Sequence, residues 1–290
     1  MRFALSKVIN WANSTASRRA ILFEVLPQRL AYGEHEAESY VVNASDRVIG
    51  RALYARGDFD LVKFERALSI VAPSVKGKAP SNDFILFDVG ANVGSICIPA
   101  VKRGFVSRAI AFEPDKENFS LLEINIRLNG VEDRISARRA AVGDRPDFVE
   151  LIRNSINSGD HRVSATSQSG GDRVQMIALD DTTGDLDLSK VIIWMDIQGY
   201  EGFAIKGASK FVKSGVPIVF ELTKQDLVAA GCFDLLISTL TSSSYNAFYD
   251  LNAPAPQKQE LTEAALRRVA DELDAAASFT DLLVFSDQQL

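Results

Sequence analysis

The sequence predicts an α/β fold: a mostly parallel, seven-stranded sheet with helices on both faces, preceded by a helical N-terminal extension. Three observations predict it. Short, continuously apolar runs recur along the chain and suit strands buried on both faces. Stretches of helical apolar spacing separate them, and that alternation builds a parallel sheet. Several runs end in a carboxylate: Asp88, Glu113, Asp196 and Glu221.

Residues 1–80 read as helices and loops. Within them Asp58–Leu68 has an acidic start and apolar positions at helical spacing. Pro73 and Lys76-Gly77-Lys78-Ala79-Pro80 mark a boundary. The chain therefore divides into an extension, 1–80, and a main domain, 81–290. Phe84–Phe87 is the first core strand, Gly90–Gly94 a turn, and Ser95–Arg103 a helix that tolerates Pro99 only near its first turn. Ala109–Phe112 is the second strand. Glu117–Asn129 is a helix stopped by Gly130. Ile135–Val142 is the third strand, and residues 147–180 read as an inserted hairpin around a polar loop. Val191–Met195 and Val216–Phe220 are the fourth and fifth strands, with a helix over Tyr200–Lys213 between them. Helices over Phe233–Ser242 and Glu260–Ala277 alternate with strands over Asn246–Leu251 and Asp281–Phe285.

Composition narrows the function classes. The 290 residues are 47% hydrophobic and 24% charged, an ordinary globular balance. A formal net charge of -6 without a basic face argues against a nucleic-acid partner. No stretch approaches the ~20 apolar residues of a membrane span. The N-terminus is broken by Lys7, Asn10, Asn13, Arg18 and Arg19, unlike a signal peptide. Cys97 and Cys232 are too few for a disulfide framework and fit a reduced, cytoplasmic chain.

In open α/β sheets ligands bind beyond the carboxyl ends of the strands, at the topological switch point. Carboxylates gathered there repel one another unless a cationic or hydroxyl-bearing group sits among them. The first loop, Asp88-Val89-Gly90-Ala91-Asn92-Val93-Gly94, is G-x-N-x-G. It differs from the dinucleotide G-x-G-x-x-G, whose third glycine is replaced here by Cys97. Asp88 beside the loop disfavours a pyrophosphate and suits a ligand carrying an ammonium and a sulfonium. Glu113, 25 residues after Asp88, is placed to accept bonds from ribose hydroxyls. This fits an adenosyl group and a nicotinamide dinucleotide equally. The expectation is that the side chains of Asp88, Glu113 and Asp196 surround one cavity.

Glu201 follows Asp196 in the first turn of the next helix, where an acid also complements the helix dipole. His161, in the inserted loop, is a candidate general base titrating near neutrality. Asp196, Glu201 and Glu221 lack an established metal-ligand spacing, so no metal is assigned.

The motifs Phe87–Gly94, Phe112-Glu113-Pro114, Asn118 and Asn125, Ala141-Val142-Gly143, Asp196-Ile197-Gln198-Gly199-Tyr200-Glu201-Gly202 and Phe220-Glu221 resemble the FkbM family of methyltransferases. The resemblance spans about residues 83–222. It implies a class I, Rossmann-like methyltransferase fold with S-adenosyl-L-methionine as cofactor, held by Asp88, Gly90, Asn92, Gly94, Glu113, Asn118 and Asp196. It also implies O-methylation of a sugar or natural product, hence a hydroxyl-bearing small molecule or glycan as acceptor. His161, Asp196 and Glu201 are the catalytic candidates. Gln198 departs from the commoner family glutamate, which removes one acid from the site.

Two other readings compete. A nicotinamide-dependent oxidoreductase or epimerase calls for G-x-G-x-x-G and Tyr-x-x-x-Lys, and neither is present. A binding module that keeps the fold without catalysis has no need of the retained acids.

Overall fold

The computed structural model describes residues 16–26, 29–72, 83–154, 157–164 and 172–287. The expected boundary at Pro73 and Lys76–Pro80, and part of the inserted loop, lie outside them.

The chain begins with α1 (Ala16–Glu24), the hairpin β1 (Leu30–Glu34) and β2 (Ser39–Asn43), then α2 (Ile49–Arg56) and α3 (Leu61–Val71). The expected all-helical extension thus contains an antiparallel hairpin. Burial alternates along both strands, with Tyr40 and Val42 as the fully buried side chains of β2. Side-chain amides fasten its edge. On the helix Lys116–Leu128, Asn125 accepts from Val41 N–H at 2.7 Å and donates to Val41 C=O at 3.1 Å. Just beyond that helix, Asn129 does the same for Ser39 at 3.0 and 2.8 Å.

The main sheet follows: β3 (Ile85–Val89), α4 (Cys97–Lys102), β4 (Arg108–Phe112), α5 (Lys116–Leu128) and β5 (Ile135–Arg138). The insertion holds β6 (Ala141–Val142), β7 (Asp147–Ile152), β8 (Arg162–Ser164) and β9 (Asp172–Ile177). Then come β10 (Val191–Met195), α6 (Glu201–Lys206), α7 (Ser209–Lys213), β11 (Ile218–Leu222), α8 (Lys224–Ala229) and α9 (Phe233–Thr241). The chain closes with β12 (Ala247–Asp250), β13 (Gln259–Glu260), α10 (Glu263–Ala275) and β14 (Thr280–Phe285).

The sheet has eight strands in the order β13-β12-β14-β11-β10-β3-β4-β5. The count exceeds the expected seven because two residues, Gln259 and Glu260, add a short edge to β12. From β5 to β11 the strands are parallel, and β14 runs antiparallel to both its neighbours. The chain winds outward from β3 through β4 to β5, then restarts on the other side at β10. The β3/β10 junction is therefore the switch point, where crevices form.

Alternate strand residues feed two cores. Leu86, Trp194, Val219 and Leu283 face one side, where Phe64 of α3 packs edge-on to Trp194 at 6.1 Å. Phe87, Ile193, Phe220 and Leu282 face the other, where Phe211 of α7 meets Phe87 at 5.1 Å.

Three further expectations change. The third strand ends at Arg138, and Ala141–Val142 joins a separate four-stranded sheet, β6-β9-β7-β8, so the insertion is more than a hairpin. The helix expected over 200–213 breaks into α6 and α7 at Gly207, where a Cβ would stand 2.0 Å from Gly143 C=O. The helix expected from Asp58 starts at Leu61, after Asp60 in a left-handed conformation (φ 62°).

Candidate active site

The loop after β3 is bent by three left-handed residues, Gly90 (φ 88°), Asn92 (φ 50°) and Gly94 (φ 94°). Gly90 has no room for a side chain, since a Cβ there would lie 2.0 Å from Asp196 C=O. Backbone bonds pin the loop on both sides. Gly90 and Ala91 N–H donate to Phe112 C=O at 3.0 and 2.9 Å, and Asp196 N–H donates to Val89 C=O at 3.0 Å. Of the three only Asn92 carries backbone strain, and strain of that kind clusters at functional sites.

Beside the loop lies a cleft enclosing about 570 Å³ of free space, its open mouth included. Gly90, Asn92 and Glu113 line it together with Asp196, Gln198 and Tyr200. Phe112, Pro114, Ala140, Ala141 and Val142 add an apolar part to the lining. Ser158, Gly159 and His161 of the insertion cross over it.

Glu113 is held by backbone N–H groups. Its Oε2 accepts from Asn92 N–H and its Oε1 from Asp115 N–H, both at 2.8 Å. The Asn118 side chain also bonds this carboxyl, and its remaining acceptor capacity is left for a ligand. Burial pushes Glu113 up to about 8, against the opposing pull of those N–H groups. Asp196 is part-buried, and its Oδ1 accepts from Gln198 Nε2 at 2.6 Å. Burial raises it to about 7, with the Gln198 bond opposing.

The crossing segment is tied at several points. Ser158 C=O accepts from Asn92 Nδ2 at 2.9 Å and from Asn118 Nδ2 at 3.1 Å. Ser158 Oγ donates to Asp46 Oδ2 at 2.5 Å, and Asp46 also accepts from Val48 and Gly50 N–H at 2.9 Å. Arg162 pairs with Asp226 of α8 through both guanidinium arms. Gly159 leaves room for Ile49 of α2, whose Cδ1 would stand 2.7 Å from a Cβ there.

The structure gathers Gly90, Asn92, Glu113, His161 and Asp196 around one cleft. The other expected residues lie elsewhere. Asp88 is a correction: its side chain is buried beneath the loop, away from the cleft, and its Oδ2 accepts from Cys97 N–H at 3.0 Å. Burial raises it to about 6, opposed by the bonds from Cys97. The expected cavity ringed by Asp88, Glu113 and Asp196 therefore holds only the last two. Gly94 faces the core, where a Cβ would meet Ile98 Cδ1 at 2.4 Å. Asn118 holds the crossing segment and lines the neighbouring cavity.

Glu201 also lies outside the cleft, tucked under the 197–201 turn. It is 1% exposed; Oε1 accepts from Ile197 N–H at 3.0 Å, and Oε2 has no hydrogen-bond partner. His161 reaches the cleft, but its Nδ1 accepts from Asn154 N–H at 3.1 Å. A neutral imidazole has one acceptor nitrogen, so Nε2 carries the proton and the base role loses its lone pair. Burial lowers the pKa of this histidine and keeps it neutral.

Asp46, Ser158 and Tyr200 enter the site without having been expected there, and Gln198 lines it as a hydrogen-bond donor. Gln198 and Tyr200 carried a signal, since they flank Gly199 in the motif after Asp196. Asp46 and Ser158 carried none, being 112 residues apart. Cys97 and Cys232 are free thiols and buried. Among the described residues no helix is long and apolar enough to cross a membrane, and no group of three or more His, Cys, Asp or Glu is arranged to hold a metal ion.

A family model described as the methyltransferase FkbM domain matches residues 88–245. No curated protein matches the chain. Among solved structures, a methyltransferase FkbM from Methylobacillus flagellatus KT is 18% identical, with 92% of this chain and 59% of that one covered and a TM-score of 0.45. P. horikoshii TYW2 in complex with MeSAdo is 16% identical over 89% of this chain and 72% of that one, at 0.43. M. jannaschii TYW2 in complex with AdoMet is 9% identical over 90% and 88%, at 0.42.

Proposed function

This chain belongs to the methyltransferase FkbM domain family, and from that membership we propose that it transfers a methyl group from S-adenosylmethionine to a hydroxyl of a sugar, glycan or natural product. One observation carries the reading. A single cleft at the switch point offers apolar lining residues, a carboxylate at the tip of β4 and a second carboxylate at the tip of β10. These match the three parts of the donor: a planar base, a ribose diol and a positively charged sulfonium. Pro114 and Ala140–Val142 would hold the base, and Glu113 would accept from the two ribose hydroxyls. Gly90 lets the backbone approach the donor closely.

The donor supplies a methyl group already activated for displacement. The residues of the cleft then have two tasks, alignment and proton removal. Alignment is worth several kcal/mol in reactions of this type. A hydroxyl is a poor nucleophile, and a base contributes roughly 10²–10⁴-fold. Asp196 is the base in this reading: its Oδ1 is committed to Gln198, and its Oδ2 is left to take the proton. His161, with its proton on Nε2, acts as a hydrogen-bond donor rather than a base. The buried thiols fit a reducing, cytoplasmic setting.

Calorimetric titration with S-adenosylmethionine, S-adenosylhomocysteine and NAD tests the donor. The adenosyl compounds should bind the wild type and lose affinity in Glu113→Ala. Binding of NAD in their place overturns the reading. Transfer of label from methyl-labelled donor across a panel of glycans and hydroxylated natural products tests the acceptor class.

A further inference from the structure

The carboxyl ends of β10, β11 and β14 bring three acids into one row. The last register pair of β10 with β11 is Met195 with Phe220, so Asp196 and Glu221 stand side by side one step on. Across the next junction Glu221 pairs directly with Asp281. Residues paired across neighbouring strands share a face of the sheet. These three follow Trp194, Val219 and Leu283 by parity, so they prolong the face that α3 covers.

From α3, Lys63 Nζ reaches Asp281 Oδ2 at 2.6 Å and Asp60 Oδ1 at 3.0 Å. Its charge is therefore largely taken up by those two acids. Asp196 and Glu221 are each left with one neutral donor, Gln198 Nε2 at 2.6 Å and Thr223 Oγ1 at 2.9 Å. Asp250, on the far side of Asp281, accepts from Thr280. Glu201 of α6 adds a separate sign. Its buried Oε2 has no partner, and its carboxyl interacts electrostatically with both Asp196 and Glu221.

We propose that Asp196 and Glu221 share one proton across the tips of β10 and β11, that the Lys63–Asp281 pair sets how tightly it is held, and that the positive charge of the methyl donor expels it. The proposal rests on the function proposed above. Two adjacent, poorly solvated carboxylates do not both ionise near neutrality. The direction of their proton affinities agrees. Burial and then Asp196 raise Glu221 to about 9, and burial raises Asp196 to about 7.

The pair balances the reaction. Before transfer it has lost its proton to solvent, and Asp196 Oδ2 is a free base beside a cation. During transfer the carbon–sulfur bond breaks with its electron pair going to sulfur. The carbon–oxygen bond forms, and the acceptor's hydroxyl proton passes to Asp196 Oδ2. The donor's positive charge is then gone and the pair has its proton back, so the net charge of the cleft is unchanged. Glu221 never touches substrate; it is a positioning residue that tunes Asp196.

The test needs no acceptor. Titration of S-adenosylmethionine and of S-adenosylhomocysteine, each in buffers of different ionisation enthalpy, counts the protons released. Glu113 meets the ribose common to both ligands, so its contribution cancels in the difference. At pH 7.5 the charged ligand should release about one proton more than the neutral one. Glu221→Gln, which keeps the Thr223 bond, should abolish that difference. Lys63→Met should move its pH midpoint up by about one unit, and Lys63→Arg should restore it. Equal proton counts for two ligands that both bind overturn this proposal and leave the proposed function standing. So does an unchanged difference in Glu221→Gln. Binding of neither ligand overturns the proposed function and this inference with it.

Discussion

Glu201→Gln isolates the energetic consequence of the buried acids. Glu201 is 1% exposed, with one oxygen bonded to Ile197 N–H and the other unpartnered. Burial lifts its pKa to about 8 from an ordinary value of 4.5. The folded state therefore binds this proton more tightly than the unfolded chain does. The associated stability is fully present below pH 4.5 and is lost as pH rises toward 8. At ~1.4 kcal/mol per tenfold difference in proton affinity, the ceiling is about 5 kcal/mol. Asp196 and Glu221 titrate alongside it, so about 2 kcal/mol is a fairer figure between pH 5 and 8. Glutamine keeps an acceptor for Ile197 N–H and turns the orphan oxygen into a donor beside two carboxyls. Thermal unfolding of the ligand-free protein should show the variant melting roughly 4 °C above wild type at pH 8. At pH 5 the two should lie within about 1 kcal/mol of each other. Parallel curves for variant and wild type across that range would refute the reasoning.

Two more substitutions test the loop. Gly90→Ala places a Cβ 2.0 Å from Asp196 C=O at a φ of 88°, and strain with displacement of β10 should cost about 3 kcal/mol or more. A wild-type melting temperature for that variant would show that the loop and β10 are not packed as described. Asp88→Asn removes a charge yet keeps an acceptor for Cys97 N–H, so donor affinity should stay within about threefold, under 1 kcal/mol. A tenfold loss at unchanged stability would place the Asp88 carboxylate in the cleft after all.

The parallel core was legible because strands buried on both faces are written as unbroken apolar runs. The acids were legible as well, but their sidedness was not. Asp88 lies within β3, paired in register with Trp194 and Ala111, so its side chain stays over the sheet beneath α4. Glu113 and Asp196 come one residue after their strands end, where the chain turns and side chains open to the crevice. A one-residue difference in where pairing stops separates the two cases, and an apolar run does not reveal its last ladder bond. The same limit explains His161, whose protonated nitrogen is decided by a backbone N–H seven residues away. The hairpin of the extension was missed because amides of Asn125 and Asn129, on and just past a distant helix, complete its edge. Against the family pattern Gln198 is a lost acid, and in the fold it is a gained donor. A glutamate there would turn a carboxylate toward Asp196 in place of an N–H.

Residues 29–72 lie before the matched family segment, yet they meet the site at three places. Ile49 lines the cleft and packs under Gly159. Asp46 ties Ser158 to the start of α2. Lys63 counters Asp281 across 218 residues of sequence. The groups proposed to face the donor come from short motifs at strand tips, local in sequence and fixed by the sheet. The groups that close the cleft and set its charge come from segments far apart in the chain. Changes in α2, α3 or the crossing segment can therefore retune closure and proton affinity while leaving Gly90, Glu113 and Asp196 in place. That separation makes Lys63 a sharper probe of the mechanism than the residues it serves, because altering it moves the charge of the site without removing a side chain from the cleft.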